Sequence, residues 1–469
     1  MFTAPQEGVF VSSTSSPRSR GANEWQPWVC SRKRTIEKSN PAIEWEVEVV
    51  ASRALAPHRN RWIRILGVSF IMYVLSYIDR TNIAMAIPAM RSELGLSASA
   101  IGFATGTFFW GYIILQIPAG RLAAVWSAKW VILTLLLFWS LVSLSTAYVR
   151  TETELILNRF ALGLFEGGVL TCTIVLIRKW FTRIERARAN TMFLISIPIA
   201  SFIANPISGL VLANFGWQMM FIVEALPGLV WALVWSWAIS DNPASVKWLD
   251  PAEKAHLLAS LDAEKSEMPP VQGHWIKTIW HPFVLLLALY NFAALMAEWG
   301  VTFWLPTVLK ETGLSIATVG FLSAIPYALG ALMMILVAIS SDRLQERKWH
   351  MIGTTALSGV FLLLAQFAGQ DTHFGILTFL TLAVAAFFGR FGPFWALPTE
   401  VLPPAVAGVG IGLVNGAGNL GGTVGPYFFG FVREWTGSFA LALTVAGISL
   451  ILGSLIAMPI RQRNKTPAA

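Results

Sequence analysis

Charge is scarce in this chain. Only 13% of its 469 residues are Asp, Glu, Lys or Arg, whereas 55% are hydrophobic and the mean hydropathy is +0.60. So little charge excludes a water-soluble globule and leaves a polytopic membrane protein. Cysteine is scarcer still, and with Cys30 near the start and Cys172 inside an apolar run no disulfide framework is available. The six histidines, His58, His256, His274, His281, His350 and His373, are scattered without the spacing of a metal site. Neither a metal nor any other cofactor is expected, and no enzymatic chemistry. Segments of about 10 residues with alternating polarity are also missing, which excludes a membrane barrel and leaves helices.

Long apolar runs are what the chain has instead. A spanning helix needs about 20 apolar residues, and twelve stretches qualify, near 65–89, 99–120, 130–149, 155–177, 190–213, 217–239, 282–309, 315–340, 351–370, 374–399, 406–432 and 438–460. The fold class is therefore all-α, twelve transmembrane helices. Of the basic residues in the connections, one side holds only Arg91, Arg150, Lys310 and Arg433, while the other carries runs such as Arg178, Lys179, Arg183, Arg186 and Arg188. Positive loops stay in the cytoplasm, so both termini are expected inside. The net charge of +8 is thereby read as topology, and no nucleic-acid partner is expected.

Residues 1–60, rich in Ser, Arg and Glu, read as a disordered cytoplasmic tail or an over-extended start, with no secretory core. A polar linker over 240–280 divides the spans six and six, giving bundles at 61–239 and 281–462 and a short tail at 463–469. The loops after the second span of each half share a theme, Trp126-Ser-Ala-Lys-Trp130 and Ser341-Asp-Arg-Leu-Gln-Glu-Arg-Lys-Trp-His350. Such weak symmetry marks transporters built of repeats, with the substrate held between them; chance resemblance of two basic turns is the alternative.

Seven charges lie inside the spans: Asp79 and Arg80 in the first, Arg159 and Glu166 in the fourth, Glu224 in the sixth, Glu298 in the seventh and Arg390 in the tenth. Each costs roughly 2.5–3.5 kcal/mol on insertion scales and must face a wet cavity. Six of them fall on every third helix, so these helices are expected to line that cavity. Arg159 and Glu166, seven residues apart, differ by only about 20° around their helix, and Asp79 and Glu166 come out at similar depth, about 13 and 16 Å from the outer end. Two desolvated carboxylates beside arginines suit proton uptake and release; a fixed tie of Asp79 to Arg80 or Arg159 is the structural alternative. Arg390, in Phe387-Phe-Gly-Arg-Phe-Gly-Pro-Phe394, suits a carboxylate substrate covered by rings. Glu298 could neutralise it, but rough depth puts Glu298 in the outer half and Arg390 in the inner half. Glu224 reads as a structural acid bonded to backbone. Asn415 and Asn419, one turn apart, add polar groups, while Gly102 and Gly106 and the series Gly408, Gly412, Gly416 are expected to let helices approach closely. Pro306, Pro326, Pro393, Pro398 and Pro426 interrupt spans of the second half.

Over residues 62–462 the chain resembles the anion:cation symporters of the major facilitator superfamily. The resemblance rests on Tyr77-Ile-Asp-Arg80, Arg159-Phe-Ala-Leu-Gly-Leu-Phe-Glu-Gly-Gly168, Asp241-Asn-Pro-Ala-Ser-Val-Lys-Trp-Leu249, Phe303-Trp-Leu-Pro306, Gly392-Pro-Phe-Trp-Ala-Leu-Pro398 and Gly418-Asn-Leu-Gly-Gly-Thr-Val-Gly-Pro426. It implies proton-driven uptake of small organic anions such as sugar acids, tartrate, phthalate, nicotinate or aromatic acetates, with Asp79 and Glu166 as proton carriers and Arg80 and Arg159 as the family's arginines. Departures are the loop Gly120-Arg-Leu-Ala-Ala-Val-Trp126, which lacks the acid of the superfamily's gating motif that Asp342-Arg343 retains, the pair Glu298-Trp299, and Arg390.

The expectation is a proton-coupled symporter in the cell membrane that alternates access between two bundles. Its substrate site would draw on Arg80, Arg159, Arg390, Glu298, Tyr77, Asn415 and Asn419, and its gate on Asp342 and Arg343. The expected partners are a small organic anion, protons and the lipid bilayer, with the chain a monomer. Two alternatives stay open: a proton-antiporting exporter of amphipathic compounds, and a non-transporting nutrient receptor.

Overall fold

The computed structural model describes residues 59–267, 280–367, 373–402 and 404–460. The chain divides into two compact units, Met1–Pro57 and His58–Ala469, and every described residue belongs to the second. Nearly all of the expected 1–60 tail, Cys30, the linker part 268–279 with Lys277, and the 463–469 tail lie outside the described residues.

Helices make up the fold, and no strand occurs among the described residues. In the first half these are α1 Val68–Thr81, α2 Ile83–Leu94, α3 Ala98–Leu122, α4 Ala128–Ser145, α5 Glu152–Gly167, α6 Val169–Trp180, α7 Arg183–Leu194 and α8 Ser196–Ala238. After the polar α9 Pro251–Glu267 come α10 Pro282–Glu311, α11 Ile316–Leu344, α12 Lys348–Ala365, α13 His373–Gly389, α14 Phe391–Val401, α15 Pro404–Thr436 and α16 Ala440–Ile456. Seven continuous helical stretches among the described residues are long and apolar enough to cross a membrane.

Local chemistry sets the helix ends. Ser97 Oγ accepts from Ala100 N at 3.1 Å and Ser315 Oγ from Thr318 N at 3.2 Å, while Thr151 and Glu154 form a reciprocal capping box. Ser127, with extended backbone, separates α3 and its π-helical tail from α4. Gly216, at φ +82°, bends α8 into two legs, a conformation that costs glycine little. Pro306, Pro326 and Pro426 lie within helices without ending them, and Pro393 falls in the first turn of α14, where no helical N–H is required.

Glycines bring backbones together. A Cβ at Gly163 would stand 1.8 Å from Phe108 O, and one at Gly111 2.2 Å from Phe160 O, so α3 and α5 touch main chain to main chain. Gly421 and Gly425 do the same for α15 against α10, with Phe292 O at 2.2 Å and Met296 O at 2.1 Å. The expected glycine series on this helix needs correction: Gly412 and Gly416 have nothing within 4 Å of a built Cβ, because the face they share is open, and the packing glycines lie further along.

The two halves of the chain meet near one end. Gly102 and Gly106 on α3 press against Pro426 O and Thr423 O of α15, at 2.5 and 2.4 Å from a built Cβ. Asn205 on the first leg of α8 donates to Ser323 O of α11 at 3.1 Å, one turn from a Gly209–Gly320 contact. Ser99 N donates to Glu434 at 3.0 Å, and at the same end Glu93 of α2 ties the second leg of α8 within the first half, accepting from Trp217 Nε1 and Gln218 at 2.7 Å each. The opposite, basic end is tied within the first half and to α9. There Arg61 donates to Glu185 at 2.6 and 2.9 Å, to Trp180 O at 2.6 Å and to Glu253 of α9 at 3.2 Å.

A Gly163→Ala substitution forces α3 and α5 apart. Overpacking of this kind costs about 1–3 kcal/mol or more, so the thermal midpoint in detergent is expected to fall well below that of Gly353→Ala, where nothing lies within 4 Å.

Candidate functional site

Asp79 and Arg80 are neighbours on α1, and adjacent helical residues point about 100° apart, so the two charges cannot share one partner. Arg80 turns to α5, where its Nε donates to Glu166 Oε2 at 3.0 Å. Ser76, one turn earlier on the same face, donates to that oxygen at 3.2 Å. Rings of Tyr77, Phe108 and Tyr112 surround the Arg80 guanidinium at 5.1, 5.1 and 5.0 Å, a dry setting in which a weakly hydrated guanidinium keeps favourable contacts. Asp79 turns instead to α4, accepting from Ser143 at 2.6 Å. Its second oxygen has no hydrogen-bond partner, nor has Glu166 Oε1. All three side chains are buried.

Arg159 joins this cluster from α5, one heptad before Glu166. Its Nη2 donates to Thr146 Oγ1 at 3.1 Å, Thr146 bonds on to Asn158 at 2.8 Å, and Phe221 lies 5.7 Å from the guanidinium. Nε and Nη1 are buried without partners. Asp79 lies within electrostatic reach of Glu166, Glu224 and Arg159. The alternative of a fixed tie is not met: among the described residues Asp79 has no ion pair with Arg80 or Arg159. Glu224 also departs from expectation, since its oxygen accepts from the Ser208 side chain at 2.6 Å instead of from backbone.

A second cluster occupies the other half. Arg390 sits where the helical ladder lapses between α13 and α14. Its guanidinium carbon is 4.3, 5.1, 5.2 and 5.7 Å from the rings of Phe387, Phe394, Phe391 and Tyr290. Nη1 donates to Asn291 Oδ1 at 3.3 Å, and Asn291 is itself held by Val414 O at 3.0 Å. No carboxylate pairs with Arg390 among the described residues, and its Nε has no partner. Glu298, also with an unpartnered oxygen, lines a small cavity with Thr302, Ser358 and Phe387. It is within electrostatic reach of both Arg390 and Arg80.

Between the clusters stands Trp299, 5.9 Å from Tyr77, 4.9 Å from Phe109 and 5.5 Å from Phe303. Tyr77 is thus the predicted residue that touches the opposite half. Asn419 is buried with its amide nitrogen unpartnered, and Asn415 is half-buried. Of the two residues expected in the gate, Asp342 pairs with Arg347, and Arg343 is exposed.

A family model described as Major Facilitator Superfamily matches residues 69–426. A putative tartrate transporter of Agrobacterium vitis is 32% identical over 86% of this chain and 91% of its own. A quinolone resistance transporter of Acinetobacter baumannii is 32% identical over 86% and 95%. Among solved structures, the xylose transporter XylE from E. coli, in an inward open conformation, superposes with a TM-score of 0.70 at 15% identity, covering 86% of this chain and 97% of its own.

Sequence reasoning missed Ser76, Ser143, Thr146 and Ser208, since single hydroxyls in apolar helices carry no pattern of their own. It noted Trp299 only as a departure from the family and Asp241 only as the start of a motif, without their contacts. The loop after α3 lacks an acid, but Asp241 reaches it from beyond α8, accepting from Ala128 N at 2.8 Å and from the Lys129 backbone N at 3.2 Å. Ser127 Oγ and Lys179 Nζ bond to the same carboxylate, the latter at 3.2 Å. Asp241→Ala leaves the first turn of α4 without this acceptor, and loss of such a cap costs about 0.5–2 kcal/mol. A lowered thermal midpoint, with ligand affinity unchanged, is the expected outcome.

Proposed function

Because this chain belongs to the Major Facilitator Superfamily, we propose that it is a carrier that takes up a small organic anion together with protons. In this reading twelve spans form two six-helix bundles over 61–239 and 281–462, joined by a cytoplasmic linker over 240–280. Both termini face the cytoplasm, and the protein works as a monomer in the inner membrane. With that orientation the contacts of α3 with α15 and of α8 with α11 close the outer side, and the substrate site opens inward.

The observation that carries the reading is Arg390: a buried guanidinium, caged by four rings and without a carboxylate partner among the described residues. Uncompensated charge in a membrane bundle marks a substrate path, and a planar fork suits a carboxylate. The relative named as a putative tartrate transporter supports a carboxylate cargo. Asp79 and Glu166 are the proton carriers. Protonation of Glu166 releases Arg80 from its ion pair, and Arg80 with Arg159 then holds the substrate carboxylate while Arg390 holds its other end. Glu298, Tyr77, Asn415 and Asn419 complete the lining, and Asp342 with Arg343 acts in the gate of the closed inner side. The relative named for quinolone resistance favours a second reading, proton-driven export of amphipathic compounds; the sign of flux in vesicles separates the two.

Purified protein is to be heated with sugar acids, hydroxy dicarboxylates, aromatic acids and cationic drugs. A ligand at a hundred times its Kd stabilises the folded state by about 2.7 kcal/mol. Stabilisation by one class of organic anion, lost in Arg390→Ala and Arg159→Ala, is the expected result; stabilisation by cations alone overturns the reading. In vesicles, Asp79→Asn is expected to abolish accumulation against a gradient while leaving substrate exchange.

A further inference from the structure

Glu224 has no part in the cycle above, yet it is built like a working residue. It lies eight residues after the Gly216 bend of α8, and Ser208 lies eight residues before it, so the two legs bring them face to face at 2.6 Å. The carboxylate is buried, its second oxygen has no hydrogen-bond partner, and Asn82 stands beside it. Neither the amide oxygen nor the nitrogen of Asn82 completes a hydrogen bond. Asn82 marks the lapse between α1 and α2 and follows Asp79 by three residues, on the same helix face. One turn before Glu224, Phe221 carries the Arg159 guanidinium at 5.7 Å.

Unpartnered buried atoms of Glu224, Asn82, Asp79 and Arg159 therefore lie along a single seam between α1, α5 and α8. Buried polar groups in folded proteins are nearly always satisfied, by water where no side chain reaches, and a buried water typically makes about three such bonds.

We propose that Glu224 is a third carboxylate of the proton route, standing between the outer face and Asp79. This rests on the proton-coupled reading above. A hydronium ion from the outer side protonates Glu224; Glu224 gives that proton to water in the seam, and the water gives one to Asp79 Oδ2. One proton moves inward and each donor is restored. The charged group within electrostatic reach of Glu224 is Asp79 on α1, and Arg159 and Glu166 on α5 lie within reach of Asp79 in turn; the neutral Ser208 and Asn82 stand beside Glu224, and Ser143 beside Asp79. Arg91 and Glu93 stand at the outer end, where Glu93 holds Trp217 at the start of the second leg.

Glu224→Gln keeps an acceptor for Ser208 and removes only the titration. Infrared difference spectra between acidic and alkaline buffer need no substrate, and the variant is expected to lack one protonating carboxyl band of the wild type. In vesicles with tartrate as the probe, uptake driven by a proton gradient is expected to be lost while tartrate exchange at equal pH is retained. An unchanged infrared difference overturns the proposal, as does driven uptake that survives in the variant, or exchange that falls along with it. If Glu224→Gln does not fold, Ser208→Ala, which frees Oε1 but keeps the acid, is expected to shift the pH profile of the same carboxyl band, and an unshifted band overturns the route. The two readings fail separately: wild-type protein that accumulates no organic anion from the panel sinks the symporter, whatever Glu224 does.

Discussion

Hydrocarbon supplies no partner for a charge or for an unpaired peptide group, and the arrangement of this protein follows from that constraint. The charged side chains inside the apolar helices all turn to other helices or to rings. The same constraint governs the backbone. The helical ladder lapses at Asn82 beside Asp79 and Arg80, at Gly168 beside Glu166, and at Arg390 itself. Freed carbonyls and buried charge are tolerable in the same place, because both require a polar neighbour that lipid lacks. Broken helices at charged positions are thus one feature seen twice.

Much of this was legible in the residues. The rule that charge must face inward placed Asp79, Arg80, Arg159 and Glu166 in one cluster before any coordinates, and helical periodicity gave the shared face of Arg159 and Glu166. What the sequence could not supply was the partner of each charge. Adjacent residues diverge by about 100°, but which neighbour each meets depends on how α1 packs between α4 and α5. Ser143 and Ser76 look alike in an apolar run, and only packing makes one the partner of Asp79 and the other of Glu166. The glycines show the same limit. A four-residue repeat is real at Gly102 and Gly106 and idle at Gly412 and Gly416, since spacing defines a face and not what lies against it.

The contacts between the halves use the same close backbone approach as those within them, where Gly163 rests on Phe108 O and Gly425 on Met296 O. Between α3 and α15, and between α8 and α11, glycine Cα atoms rest on carbonyl oxygens, joined by a few hydrogen bonds such as Asn205 to Ser323. Close Cα–H···O contacts are worth about 0.5–1 kcal/mol each, and beside them Trp299 meets Tyr77 and Phe109 through ring contacts. At the basic end Asp241 and Arg61 instead tie loops of the first half to one another, which stiffens that half as a body.

The two buried arginine cages carry unequal charge. Arg80 has Glu166 as a partner at 3.0 Å, so its availability to an incoming anion depends on whether that carboxylate is ionised. Arg390 touches rings and an amide and has no carboxylate bonded to it among the described residues, so no ion pair has to break before it meets an anion. Under the proposed cycle the second half anchors one end of the substrate, and the proton carriers lie in the first half. Glu298 is the side chain that links them, because it is within electrostatic reach of both Arg80 and Arg390. Under the proposed cycle a carboxylate in that position competes with the substrate for each arginine.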